Sequence, residues 1–135
     1  MAGMIAIGLG CRKSCPSEAI VEIVRRALAE CQATEGVRRL FSVADKSEEP
    51  GLNAAARTLG FDLVFLSREA LAAVATRVLT HSPAAQRRFG LASVAEAAAL
   101  AGAGPHARLL APRLAAKGAT CAIALAEPQE SDKRS

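Results

Sequence analysis

The residues near the N-terminus that could bind an anion lie between an apolar run and the expected start of a helix. The stretch is IAIGLGCRKSCPSEAI, residues 5–20, with two glycines, two cations and two thiols. Backbone amides at a helix N-terminus are unsatisfied donors with partial positive charge, so they bind anions readily. Arg12 and Lys13 add full positive charges to the same turn. The combination predicts a site for an anionic group.

The same turn also has a purely structural interpretation, and it lacks two nucleotide-binding motifs. Gly8 and Gly10 would permit a tight turn, while residue 14 or 15 caps the helix and the charges stay solvated. The dinucleotide fingerprint requires a third glycine where Lys13 stands, and a P-loop requires a glycine where Arg12 stands. The pattern therefore does not identify the anion.

The cysteines are expected to be free thiols rather than a disulfide framework. They are Cys11, Cys15, Cys31 and Cys121. Cys11 is a candidate nucleophile, because neighbouring cations and a helix start lower the pKa of a thiol, but the sequence offers it no apparent base partner. Cys11 and Cys15 are four residues apart and no nearby histidine completes a metal-ligand spacing, so we expect no metal site and no cofactor.

A second group of charged residues follows the next apolar run, in SVADKSEEPGL, residues 42–52. Asp45 and Glu49 could supply general acid or base chemistry, with Lys46 as a charge partner that steadies a carboxylate. The alternative is a solvated loop that caps the following helix. Ligands of open parallel sheets bind outside the carboxyl ends of the strands, and both charged groups are expected at that edge.

A third candidate is the start of an alanine-rich helix, in GLASVAEAAAL, residues 90–100. Ser93 and Glu96 have the spacing of a capping box, in which the serine oxygen accepts from a helix amide and the glutamate reaches back. This structural interpretation is favoured. The helix start would still offer free amides to an anionic ligand.

Strand and helix patterns alternate along the first part of the chain and predict an α/β layer architecture with a mostly parallel sheet. The expected elements are strands over 4–9, 37–44, 62–66, 107–110 and 120–126, and helices over 16–32, 50–59, 68–78 and 93–101, with Gly60 ending the second helix and 83–89 unassigned. A mixed sheet stays open, because the last strand could run in either direction.

Length and composition indicate one domain over residues 1–126, followed by a polar tail over 127–135 that we expect to be disordered. The 135 residues are 51% hydrophobic, with four phenylalanines and no tryptophan or tyrosine. Such a core is aliphatic, and its helices should lie close to the sheet.

The net charge of +4 is consistent with several classes of partner. Base stacking requires more aromatic residues than this chain has, so we expect no nucleic acid as a partner. Apolar runs are too short for a membrane helix and no secretory signal is apparent, so we expect a cytoplasmic protein without a membrane partner.

Four segments together, and in this order, resemble the family of the cobalamin-biosynthesis protein CobE and the C-terminal domain of CbiG. They are IGLGCR at 7–12, VADKSEEPGL at 43–52, SVAEAA at 93–98 and KGATCAIA at 117–124. The resemblance implies a three-layer α/β/α sandwich with a sheet of about five strands, acting in corrin-ring synthesis. A two-domain relative in this family is cobalt-precorrin-5A hydrolase, which opens a ring lactone and releases acetaldehyde. This chain has no room for the second domain, and a lone version fits the aerobic, late-cobalt route.

Carried over position by position, the resemblance implies ligand-facing residues in all four segments: Gly8, Gly10, Cys11, Arg12, Asp45, Lys46, Glu49, Gly51, Ser93, Glu96 and Thr120. Precorrins carry many acetate and propionate carboxylates, which Arg12, Lys13 and Lys46 would pair with. If the protein is a hydrolase, Asp45 or Glu49 would be its general base, with Lys46 as electrostatic support.

The leading hypothesis is thus a cobalamin-biosynthesis protein that binds a precorrin intermediate and holds it or assists lactone or side-chain processing. The alternative is an interaction module that docks onto other cobalamin-biosynthesis enzymes without binding pigment. An unrelated enzyme acting on an anionic metabolite comes third.

Overall fold

The computed structural model describes residues 4–32 and 36–126, and these residues form six strands and five α-helices around one sheet. In chain order the elements are β1 (Met4–Cys11), α1 (Ser17–Glu30), β2 (Val37–Val43), α2 (Pro50–Leu59), β3 (Asp62–Leu66), α3 (Arg68–Ala72), α4 (Pro83–Phe89), α5 (Val94–Ala103), β4 (Arg108–Leu109), β5 (Leu114–Ala116) and β6 (Ala119–Leu125). Short 3-10 turns occupy Ala44–Lys46 and Ala75–Arg77. The tail predicted over 127–135 lies outside the described residues.

Most elements lie where the sequence predicts them, and the differences fall in the segments with the fewest buried residues. α2 and β3 have the predicted bounds, and Gly60 ends α2 in a left-handed conformation. The helix predicted over 68–78 ends at Ala72, and a 3-10 turn follows it. The unassigned segment 83–89 is α4, and β5 was not predicted.

The sheet is mixed, with strand order β3-β2-β1-β6-β4 and with β5 also paired to β6. β1 and β2 pair in parallel, with Ile7 opposite Leu40, and β2 and β3 pair in parallel. β6 runs antiparallel to β1, with Ile7 opposite Ile123, and also to β4 and β5. The α/β fold class with a mixed sheet is confirmed, and the last strand is antiparallel. As a result, the first residues of β6 lie beside the last residues of β1. We call this end of the sheet, where the strands β1 and β2 end, the edge of the sheet.

Alternate residues of β1 pack against helices on opposite faces of the sheet. Ile5, Ile7 and Leu9 lie in one core cluster with residues of α1 and α2. Ala6 lies in a second cluster with residues of α5. Because successive side chains of a strand point to opposite faces, helices cover both faces.

Small residues let α5 lie directly on the sheet. A side chain at Gly8 would collide with the backbone carbonyl of Ala95, so the strand and the helix touch through their backbones. α5 is buried along most of its length, from Val94 to Leu100. The close packing expected from an alanine-rich core is present here.

The four cysteines carry free thiols in the structure. Within residues 4–32 and 36–126, no helix is long and apolar enough to span a membrane.

Candidate functional site

A cavity of about 420 Å³ opens at the edge of the sheet where β1 ends and β6 begins. Its floor includes Gly10 and Thr120, which pair across these two strands. A side chain at Gly10 would lie 2.6 Å from the hydroxyl oxygen of Thr120, so glycine at this position keeps the floor open. The walls come from the start of α5, from α4, from the turn after β2 and from the β5–β6 hairpin.

The cavity is lined by five cationic side chains and by no acidic side chain of the described residues. The cations are Arg12, Lys46, Arg88, Arg113 and Lys117, of which Lys117 forms a salt bridge at 3.3 Å with Glu22 outside the lining. A concave surface that carries charge of one sign concentrates its field and attracts ions of the opposite sign. The cavity is therefore suited to a ligand with several negative groups.

Lys46 is the most deeply placed of these cations. It belongs to the 3-10 turn that follows β2, and only 5% of its surface is exposed. Within the described part of the chain, the ammonium has no hydrogen-bond acceptor and no salt-bridge partner. Burying a charge without a partner is costly, so this arrangement favours a site that an anion completes.

Arg113 lines the cavity from the segment before β5, and its guanidinium is incompletely satisfied. Its Nε is buried and has no hydrogen-bond partner. Its backbone amide donates to a carboxylate oxygen of Glu96 at 2.9 Å, which fixes the backbone of this segment. This buried donor therefore lacks an acceptor in the lining of the same cavity.

Glu96 is fully buried in α5 and holds two wall segments in place. Its carboxylate accepts hydrogen bonds from the amides of Leu79 and Thr80 at 2.7 and 2.8 Å, from the Thr80 hydroxyl at 2.7 Å and from the Arg113 amide. Burial alone would raise the pKa of this carboxyl, but the bonds from Thr80, Arg113 and Leu79 outweigh it and lower the pKa.

The predicted capping box is only half formed. The hydroxyl of Ser93 accepts from the amide of Glu96 at 3.3 Å, as expected, and Ser93 lines the cavity. The Glu96 carboxylate does not reach back to the start of the helix, because the loop before α4 and the segment before β5 offer it four donors. The reciprocal half of the prediction is wrong.

Cys11 lines the cavity, but its thiol is not activated. Burial raises the pKa of the Cys11 thiol to about 11, although the nearby positive charge of Lys46 acts in the opposite direction. Burial therefore outweighs the neighbouring positive charges, which were considered as a cause of a lowered pKa for this thiol. At neutral pH it is protonated, and a protonated thiol is a poor nucleophile.

The two carboxylates predicted as general bases lie at this edge of the sheet but do not line the cavity. Asp45 forms a salt bridge with Arg68, whose hydrogen bond lowers the pKa of the Asp45 carboxyl. Glu49 accepts a hydrogen bond from the amide of Ser14 at 2.8 Å. It thereby ties the turn after β1 to the start of α2.

Four other predicted residues lie outside the lining, namely Glu96, whose contacts are given above, and Gly8, Gly51 and Lys13. Gly8 supports the contact between β1 and α5 described above. Gly51 packs so closely against the carbonyl of Cys15 that a side chain there would collide with it. Lys13 is exposed on the turn after β1.

Three of the lining cations were not predicted as site residues: Arg88, Arg113 and Lys117. Lys117 and Gly118 form the turn of the β5–β6 hairpin with positive φ angles of 55° and 84°. A lysine followed by glycine before an apolar strand was a usable turn signal. The positions of Arg88 and Arg113 had no local signal, since they depend on how α4 and the hairpin fold back over the sheet.

Comparison with known proteins identifies close relatives. The family model described as cobalamin synthesis G C-terminus matches residues 5–124. The chain is 34% identical to protein CobE of a Sinorhizobium species over 134 residues, which are 98% of this chain and 86% of that protein.

Two solved structures are also similar. The crystal structure of CobE, a protein from the cobalamin (vitamin B12) biosynthetic pathway, matches with a TM-score of 0.86 and 32% identity, covering 96% of this chain and 95% of that one. The cobalamin biosynthesis protein chiG from Agrobacterium tumefaciens matches with a TM-score of 0.70 and 36% identity, covering 92% of this chain and 99% of that one.

Proposed function

Since the chain belongs to the family of CobE and the CbiG C-terminal domain and is a protein of cobalamin biosynthesis, we propose that it binds a precorrin intermediate in the cavity at the edge of the sheet. The observation that carries this proposal is the set of five cations around a cavity without an acidic side chain among the described residues. Precorrins present several carboxylates around a macrocycle, and charge-assisted hydrogen bonds to arginine and lysine are the strong contacts for such groups.

One edge of the macrocycle enters the cavity in this proposal. A volume of about 420 Å³ lies in the lower part of the range for pockets that enclose drug-sized ligands. A precorrin with all its side chains is larger than such ligands. The acetate and propionate arms of one edge would meet Lys46, Arg113 and Arg12, while the rest of the ring stays at the opening.

The geometry supports holding the intermediate more than transforming it. Hydrolysis of a lactone requires a group that activates water within reach of the substrate. The lining includes no carboxylate of the described residues, and the Cys11 thiol is protonated at neutral pH. If the protein were a hydrolase, Asp45 or Glu49 would act only after moving away from Arg68 or Ser14, with Lys46 as electrostatic support.

We place this binding role in the cytoplasm and in the aerobic, late-cobalt route. The likeness to CobE along nearly the whole chain supports the place in cobalamin biosynthesis. A protein with this role would protect an unstable pigment between two enzymes, and the enzyme that receives the pigment would be its second partner.

The test is a titration of the protein with a corrinoid that carries free carboxylates, followed by the visible spectrum. We expect saturable binding, and Arg12→Ala should weaken it by about 10- to 100-fold because a charge-assisted hydrogen bond is lost. Arg25→Ala is the matched control, since Arg25 is exposed on α1 and does not line the cavity. Absence of any spectral change in the wild-type protein would contradict the proposal.

A further inference from the structure

We propose that the cavity binds selectively according to the charge of the ligand side chain that enters it. It binds a macrocycle whose entering side chain is a free carboxylate and releases one whose entering side chain has become an amide or an ester. This inference rests on the proposed function and adds a rule for when the ligand binds. The residue that determines this charge selectivity is Lys46.

Lys46 can be satisfied by an anion but not by a neutral amide. Only 5% of the residue is exposed, and among the described residues its ammonium forms no hydrogen bond and no salt bridge. A carboxylate would supply both an acceptor and the missing negative charge. An amide would supply one weaker acceptor, leave the buried charge uncompensated and bring its own N–H donors toward a cation.

The rest of the lining also presents N–H donors, from Arg12, Arg88 and Arg113. The buried Nε of Arg113 needs an acceptor. Two lining hydroxyl oxygens already accept from helix amides, Ser82 from Ala85 at 3.2 Å and Ser93 from Glu96. An incoming amide would bring further donors toward these N–H groups, whereas a carboxylate only accepts.

A place in the reaction sequence follows from this chemistry. The step that supplies the ligand must leave a free carboxylate on the arm near Lys46. The step that consumes it belongs to the class that neutralises carboxylates by forming amides or esters. Such a step would weaken the complex and make release coincide with the change in charge.

The experiment compares two ligands that share one scaffold. They are cobyrinic acid, whose peripheral side chains are free carboxylates, and its fully amidated derivative, each titrated against the full chain at two ionic strengths. For the wild-type protein we expect the acid to bind about 10- to 100-fold more tightly than the amide. Part of this preference should be lost as salt rises, because added ions screen the exposed Arg12. The part that depends on the buried Lys46 should persist.

Lys46→Met is the decisive variant, because methionine keeps an apolar stem of similar length without the charge. The preference for the acid should fall by about tenfold. Arg25→Met removes the same charge from an exposed position and should leave the preference unchanged. Lys46→Met should melt at or above the wild-type temperature, because it removes a buried charge that has no partner, and thermal unfolding therefore serves as its folding control.

The outcomes separate the inference from the function on which it rests. Failure of both ligands to bind the wild-type protein overturns the proposed function and the inference together. Equal affinity for the acid and the amide leaves the proposed function standing and overturns the inferred charge selectivity. A preference that survives undiminished in a folded Lys46→Met protein overturns the assignment to Lys46.

Discussion

Glu96 and Lys46 are the two charged side chains that the described structure buries, and their surroundings differ. Glu96 accepts four hydrogen bonds and is satisfied by the protein itself. Lys46 has no such partner and lines a cavity. Glu96 thus contributes to the architecture of the site, and Lys46 is the group through which we expect the site to bind.

Glu96→Gln should destabilise the protein by about 2–4 kcal/mol, since one carboxylate serves four donors from two segments and an amide cannot accept from all of them. Urea unfolding with Glu48→Gln as control measures this, because Glu48 is exposed. Glu96 has a lowered pKa in the folded state, so its contribution is complete above its ordinary value of about 4.5 and is lost as pH falls through the lowered folded value. The difference between wild type and variant should therefore shrink below about pH 4. A constant difference from pH 7 to pH 3 would contradict this assignment.

The local alternation of strands and helices was predictable because it depends on short-range patterns, and β1 to β3 show this well. The helix predicted after β3 was longer than the observed α3. Leu71 is the one buried residue of α3, so little tertiary packing stabilises further helical turns. β5 was missed because three residues carry little pattern, and its pairing with β6 depends on the hairpin turn at Lys117 and Gly118.

The contact between β1 and α5 gives a prediction for these two elements. Gly8→Ala should cost about 2–3 kcal/mol, because its methyl group would meet the carbonyl of Ala95 and the amide of Ala99 and force strand and helix apart. Gly60→Ala is the comparison. It has open space around it and a φ of 76°, so only backbone strain of about 1 kcal/mol is expected. Thermal unfolding of both variants decides this, and an equal loss would show that the close approach is not important.

At the scale of the whole molecule, the cavity lies where the parallel and antiparallel parts of the sheet meet. β1 ends there and β6 begins there, so residues more than 100 positions apart, such as Gly10 and Thr120, become neighbours. The strand and helix pattern allowed Arg12 and Lys46 to be predicted for one edge, and the family resemblance added Ser93 and Thr120 as ligand-facing residues. It did not allow Arg88 and Arg113 to be placed beside them, since their positions follow from the direction of β6 and the fold of α4 over the sheet.

The central claim is that this protein holds a precorrin without changing it. The most direct measurement is to mix the purified protein with the ring-contracted, lactone-bearing precorrin and to follow the visible spectrum, the pigment mass and released acetaldehyde together. We predict a spectral shift at constant mass and without acetaldehyde. A mass change with acetaldehyde, lost in Asp45→Asn or Glu49→Gln, would contradict the claim and make the protein a hydrolase, whereas no change in any of the three would favour a module that docks onto other enzymes.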